Sequence, residues 1–394
     1  MSRSVAAGLR EQALALRERL VSVRRRIHAH PELGLETPAT QQAIISHLES
    51  IGIPGIKTGR RCTSVVVDID GEGHGESERC VALRADMDAL PMHERSGESF
   101  ASEIDGRMHA CGHDGHVAML LGAAELLWSR RHEFAGRVRL LFQPGEEGYG
   151  GARAMIEEGA LEGVQRAFAI HLDPSDRPHT LAYRAATMLA AFDNFTVVFL
   201  GAGGHASTPH TARDPIPAIG PFVDGLSHVA ARETDPDDRA VFSVTFVRAG
   251  TTDNVIPSEA VCAGTIRTLS VAARGRALEK LRRVAEGVAT SRGLDVTLEL
   301  VEGYPPTVNS PAMLPVIEQC AQQLDVRTRV MPSPFMGAED FSYVLDTVPG
   351  AMVFLGCRTQ GGGPMHSDVM KIDEDVLVTG AALHAAVALR LLAD

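Results

Sequence analysis

Arg137-Val138-Arg139-Leu140-Leu141-Phe142-Gln143-Pro144-Gly145-Glu146-Glu147-Gly148 is the stretch that decides the fold. Residues 137–143 have the length and apolar content of a strand, and Pro144 with Gly145 ends the ladder in a sharp turn. A helix over about 115–130 precedes this strand. A helix over 152–158 and a strand over 166–171 follow it. Further upstream, 9–30 and 38–50 carry helical periodicity, while 63–70 and 80–85 are short β-rich runs. Strands and helices alternating in this way predict an α/β domain with a mixed, mostly parallel sheet flanked by helices. The last helix, about 374–392, carries His384 and Arg390 and reads as a packed surface helix.

The middle of the chain has another rhythm. Residues 195–200 alternate as a strand, 216–232 are helical, 241–247 and 260–269 are strands, 271–291 are helical and 295–301 form a strand. The order β-α-β-β-α-β is that of a ferredoxin-like α+β unit. The expected organisation is therefore a discontinuous catalytic domain, 1–188 with 304–394, and an inserted domain, 189–303.

Bulk properties narrow the function. With 394 residues the chain is long for one core. A formal net charge of −12 argues against a general nucleic-acid binder and against a polybasic membrane anchor. Cys62, Cys80, Cys111, Cys262, Cys320 and Cys357 are scattered, so no disulfide framework is expected. The N-terminal residues lack an apolar signal core, and no run approaches about 18 uninterrupted apolar residues. A soluble cytoplasmic protein is the expectation, in which Cys111 stays reduced.

The chemistry concentrates at Met108-His109-Ala110-Cys111-Gly112-His113-Asp114-Gly115-His116. On a helix, Cys111 and His113 would point about 200° apart. They converge on one ion only through a turn, which Gly112 permits. Thiolate and imidazole suit zinc, and imidazole also suits nickel and other transition metals. Glu146 and Glu147, adjacent in an irregular turn, point in different directions, so one can bind a metal while its neighbour carries protons. His171 closes a predicted strand, and His366 follows the apolar run 351–356, both where α/β sheets bind ligands. One thiolate, one glutamate and three imidazoles from four segments exceed the four ligands of a closed structural zinc site, and suit two ions with open positions. Asp86 and Asp88 share one side of an extended strand end, where a carboxylate either binds a metal directly or orients an imidazole ligand, the second being the expectation.

At this point the sequence resembles the M20 metallopeptidases and aminoacylases, specifically the amidohydrolase branch, subfamily D. The resemblance runs from His28-Ala29-His30-Pro31-Glu32-Leu33 through the segments above to Gly203-Gly204-His205-Ala206-Ser207, Asn254-Val255-Ile256-Pro257, Gly264-Thr265-Ile266-Arg267, Gly337-Ala338-Glu339-Asp340-Phe341 and Met365-His366-Ser367. It implies Cys111, His113, Glu147, His171 and His366 as ligands of two divalent ions, with zinc favoured by the thiolate and manganese or nickel used by relatives. It implies Glu146 as general base and acid, and His205 as donor to the developing oxyanion. Arg267 with Asn254 resembles the family's clamp for the free carboxylate of an amino acid.

The expected reaction is hydrolysis of the amide bond of N-acyl-amino acids, with a carboxypeptidase or dipeptidase of the same family as the alternative. Domain closure would complete the site, and the exposed edge of the inserted sheet favours a homodimer. A cysteine-nucleophile amidase, with Cys111 activated by His113 or His116, would leave Glu146, Glu147 and His366 without roles. A binding protein without turnover would need a damaged catalytic set, and both glutamates and all five ligand candidates are present.

Overall fold

The strand Cys80–Asp86 is buried at every position, as a central parallel strand covered on both faces must be. It lies in a computed structural model that describes residues 8–73 and 77–393. The chain divides into two compact units. One comprises Met1–Met188, Val308–Ser333 and Asp340–Asp394, the other Leu189–Thr307 and Pro334–Glu339.

The first unit contains an eight-stranded sheet. Its order is Lys57–Thr58, Val65–Asp70, Arg137–Gln143, Cys80–Asp86, Arg166–Asp173, Gly350–Gly356, Thr180–Tyr183 and Arg327–Val330. The four strands from Arg137–Gln143 to Gly350–Gly356 run parallel. Antiparallel pairings flank them, at Val65–Asp70 on one side and Thr180–Tyr183 on the other. The Cys80–Asp86, Arg137–Gln143 and Arg166–Asp173 strands thus direct their carboxyl ends to one edge, and Asp86, Glu146 and His171 lie at or just beyond those ends.

Two helix expectations need correction. The periodic stretch 9–30 forms two helices, Leu9–Ala15 and Arg17–Ala29, interrupted at Leu16; no glycine or proline marks the break. The C-terminal helix, Val376–Ala393, is a core helix and not a surface one. His384 is buried, and the helix packs against His113–Ser129. By length and composition it could cross a membrane, but 78% of it is buried inside the protein, so packing accounts for its apolar surface. The short strands Thr180–Tyr183 and Arg327–Val330 escape the sequence reading because four-residue runs carry little periodicity.

The second unit is an antiparallel sheet in the order Val241–Ala249, Glu259–Thr268, Ala191–Leu200, Asp295–Glu302. Helices Ile219–His228 and Val271–Arg292 pack on it, and Phe195, Phe199, Phe222, Cys262 and Leu281 form its core. This is the ferredoxin-like arrangement. The unit also takes in 304–307 and 334–339, which the sequence reading assigned to the catalytic domain. Backbone pairing is the reason. The Ala190 N–H donates to the carbonyls of Phe335 and Gly337, and the Phe192 N–H to that of Tyr304.

Candidate active site

Gly112 sits at φ 94°, a left-handed conformation that favours glycine, and caps the helix His113–Ser129. The turn it makes sends the Cys111 and His113 side chains toward common ground. The Cys111 Sγ lies 3.4 Å from His171 Nε2. One donor atom from each of Cys111, His113 and His171 lies within 4.8 Å of the others, and the same holds for Cys111, Glu147 and His366. The two trios share the Cys111 sulfur. A third close group joins His113 to Glu146 and Glu147. The first unit therefore brings together all five ligand candidates and Glu146.

Two of the three candidate imidazole ligands are oriented from behind. The His113 Nδ1–H donates to the Asp88 carbonyl at 2.8 Å, and the His171 Nδ1–H to the Leu172 carbonyl at 2.7 Å. Both rings therefore present Nε2 forward, the tautomer a metal requires. The His113 Nε2 is buried with no hydrogen-bond partner. An orphaned buried imidazole nitrogen among a thiol, carboxylates and further imidazoles fits a divalent cation.

The charges fit as well. Burial opposes ionisation of the Cys111 thiol, yet the facing His171 and His113 pull it down to about 6. Burial pushes His113 down, but Asp86 and Cys111 hold it well above the usual imidazole range. Burial is the largest single influence on Glu147 and raises it, but the bond with His366, the charges of His113 and His366 and the bond with Cys111 together hold it below the usual carboxylate range. Cys111 and Glu147 raise His366 to about 10. The pocket is thus built for thiolate and carboxylate facing positive charge.

The two strand-end aspartates do different work. The Asp88 carboxylate accepts the Glu146 N–H at 2.9 Å and the Glu147 N–H at 3.1 Å, and so fixes the turn that carries both glutamates. Asp86 accepts from Arg84 Nη1 at 2.6 Å and from the His116 ring, while Arg84 reaches Asp340 at 2.9 Å and Gln143 at 2.9 Å. Behind the helix, Arg24 and His28 each approach Asp114 at 2.8 Å, tying its first turn to Arg17–Ala29. Sequence reasoning passed over Arg84, Gln143 and Asp340 because they meet only in three dimensions.

In the second unit, His205 and Asn254 line one cavity of about 730 Å³. The His205 Nδ1 accepts from the Ser207 N–H and faces the Ser207 hydroxyl at 2.7 Å, which leaves Nε2–H as the exposed donor. Arg267 is half-buried, lies over the Phe192 ring and donates to the Met336 carbonyl; burial lowers its pKa. It is not beside Asn254. The cavity holding Asn254 includes Glu259, at one end of Glu259–Thr268, and Arg267 is at the other, roughly 25 Å away at 3.3 Å per residue. The expected pairing of Arg267 with Asn254 is therefore not formed within one chain, because the strand between them is too long.

Thiol, imidazole and carboxylate donors at the carboxyl edge of a parallel sheet, with a spare glutamate beside them, define a metal-dependent hydrolase. The chain belongs to Peptidase family M20/M25/M40, whose model matches residues 82–390, and it is an enzyme acting on amide bonds. It is 39% identical over 388 residues to the thermostable carboxypeptidase 2 of Saccharolobus solfataricus, covering 97% of this chain and 98% of that protein. It is 41% identical over 380 residues to the IAA-amino acid hydrolase ILR1-like 2 of Arabidopsis thaliana, covering 95% and 85%. The crystal structure of the Bacillus subtilis YXEP protein, described as a dinuclear metal binding peptidase from the M20 family, superposes with a TM-score of 0.85 at 35% identity, covering 96% and 99%.

Proposed function

We propose that this enzyme hydrolyses the amide bond of N-acyl-amino acids, releasing a carboxylic acid and a free amino acid. The observation that carries the reading is the convergence of Cys111, His113, Glu147, His171 and His366 as two trios sharing one sulfur, with Glu146 alongside. These five residues would hold two divalent ions, with zinc preferred for its affinity to thiolate.

Bound there, the ions supply Lewis acidity that lowers the pKa of water and polarises an amide carbonyl. Glu146 takes the proton of the attacking water on a carboxylate oxygen and returns it to the leaving amine nitrogen. The His205 Nε2–H donates to the carbonyl oxygen as that atom gains charge. Arg267 binds the free carboxylate of the amino-acid half through its planar fork. Since Arg267 and Asn254 are too distant to grip one carboxylate from a single chain, Asn254 and His205 serve the substrate of a second copy, and the enzyme works as a homodimer. The Val241–Ala249 edge strand supports this, with Val241, Phe246 and Val247 exposed.

A second reading, carboxypeptidase or dipeptidase, is favoured by the likeness to the thermostable carboxypeptidase. A panel of N-acyl-amino acids, dipeptides and their C-terminal amides, assayed by amine release on metal-analysed protein, separates the two. Turnover confined to acyl-amino acids supports the first reading. Turnover confined to peptides overturns it in favour of the second.

A further inference from the structure

His116 is three residues beyond His113 on the same helix, and its ring centroid lies 5.3 Å from that of His113 and 4.6 Å from that of His171. Its position invites assignment as a sixth ligand, in a group with Asp86 and His113 whose donor atoms lie within 4.8 Å of one another. Its hydrogen bonds argue otherwise. The Nδ1 faces an Asp86 carboxylate oxygen, and Nε2 accepts the Leu172 N–H at 2.8 Å. A carboxylate held by Arg84 only accepts, so Nδ1 carries the proton; a backbone N–H only donates, so the Nε2 lone pair is spent on Leu172. No lone pair remains for an ion.

Leu172 joins the two histidines through its backbone. Its carbonyl accepts the His171 Nδ1–H at 2.7 Å. Its side chain lies so close to the helix that a Cβ at Gly115 would come within 2.6 Å of Leu172 Cδ1, so glycine there allows the approach. The buried line Arg84, Asp86, His116, Leu172 and His171 thus runs from a guanidinium to a candidate ligand without a break.

We propose that His116 is a positioning residue for metal binding: it holds the backbone of Leu172, and through it the ring of His171, and ligates no ion itself. The inference rests on the binuclear reading above. It assigns His116 a role that neither the five ligands nor Glu146 require.

The test compares wild type, His116→Ala and His116→Gln, each stripped of metal. Zinc affinity is measured against a chelating competitor, and cobalt(II) binding is followed by its visible and thiolate charge-transfer absorption. Glutamine is the conservative variant, since its amide offers one donor and one acceptor. All three proteins are expected to bind two ions per chain. His116→Ala should bind about 10- to 100-fold more weakly with shifted cobalt bands, as loss of an outer hydrogen-bond partner does, and His116→Gln should recover most of the affinity. An alanine variant with wild-type affinity and spectrum overturns the inference, and so does any variant that binds one ion fewer, which would make His116 a ligand. If His116→Ala does not fold, His116→Leu, which fills the space but makes neither hydrogen bond, takes its place under the same two criteria. Wild type that binds no divalent ion refutes the binuclear reading itself, a result distinct from failure of the variants alone.

Discussion

Replacing Asp88 with alanine should disable this enzyme without touching any of the five ligand side chains. The Asp88 carboxylate is buried and accepts two successive backbone N–H groups, those of Glu146 and Glu147, at 2.9 and 3.1 Å. Hydrogen bonds to a charged group contribute about 1.5–3 kcal/mol each. Removing both puts roughly 3–6 kcal/mol at stake in the turn that carries the two glutamates. Were all of it to appear in the activation barrier, kcat/KM would fall by about 10²- to 10⁴-fold, since 1.36 kcal/mol is a factor of ten. Part of it will appear as lost stability, so a drop of about 100-fold is the expected outcome. Asp88→Asn keeps one acceptor but turns an amide donor toward the other N–H, and should fall between. The backbone carbonyl of Asp88 survives both changes and continues to orient His113. The assay is steady-state hydrolysis of an N-acyl-amino acid at saturating metal, with thermal unfolding in parallel. A kcat/KM for Asp88→Ala within about threefold of wild type would refute the reasoning.

Other outcomes follow from the same structure. Glu146→Gln should retain both ions by elemental analysis and lose about 10²- to 10⁴-fold in kcat; an active variant would remove Glu146 from its role. Arg267→Ala should impair acyl-amino acids far more than their C-terminal amides, and equal losses would dismiss the carboxylate clamp. Light scattering should give the mass of a dimer; a monomer would contradict the sharing of His205 and Asn254 between copies. Stability should also depend on pH. Burial lowers His28, but Asp114 and Glu94 together raise it to about 9 from an unfolded value of 6.5. Its contribution, up to about 3 kcal/mol, is fully present below about pH 6.5 and lost as pH rises toward about 9. Denaturant unfolding of wild type should weaken across that window, and His28→Gln should flatten the slope.

Much of the first unit was legible because strand-length apolar runs and Pro-Gly stops are local signals. The site was legible where its donors share a motif. Cys111 and His113 announce themselves through Gly112, and Glu146 and Glu147 through the turn that separates their directions. His171 and His366 are single imidazoles, marked by their places after apolar strand runs, and the family likeness names both as ligands. Asp86 and Asp88 read as carboxylates at a strand end, but nothing local says that one holds two glutamate N–H groups while the other holds His116. The Arg84 to Asp340 contact spans 256 positions and leaves no trace in periodicity. The separation of Arg267 from Asn254 was implicit in the expected strand over 260–269, which already places Arg267 at the end away from Asn254; the family likeness paired the two without regard to that length.

The most direct test of the central claim is to count ions. Protein stripped with a chelator and dialysed against zinc or manganese should take up two equivalents per chain, and amide hydrolysis should vanish on stripping and return as the second equivalent binds. Hydrolysis that persists in metal-free protein, or a chain that takes up none, would contradict the account.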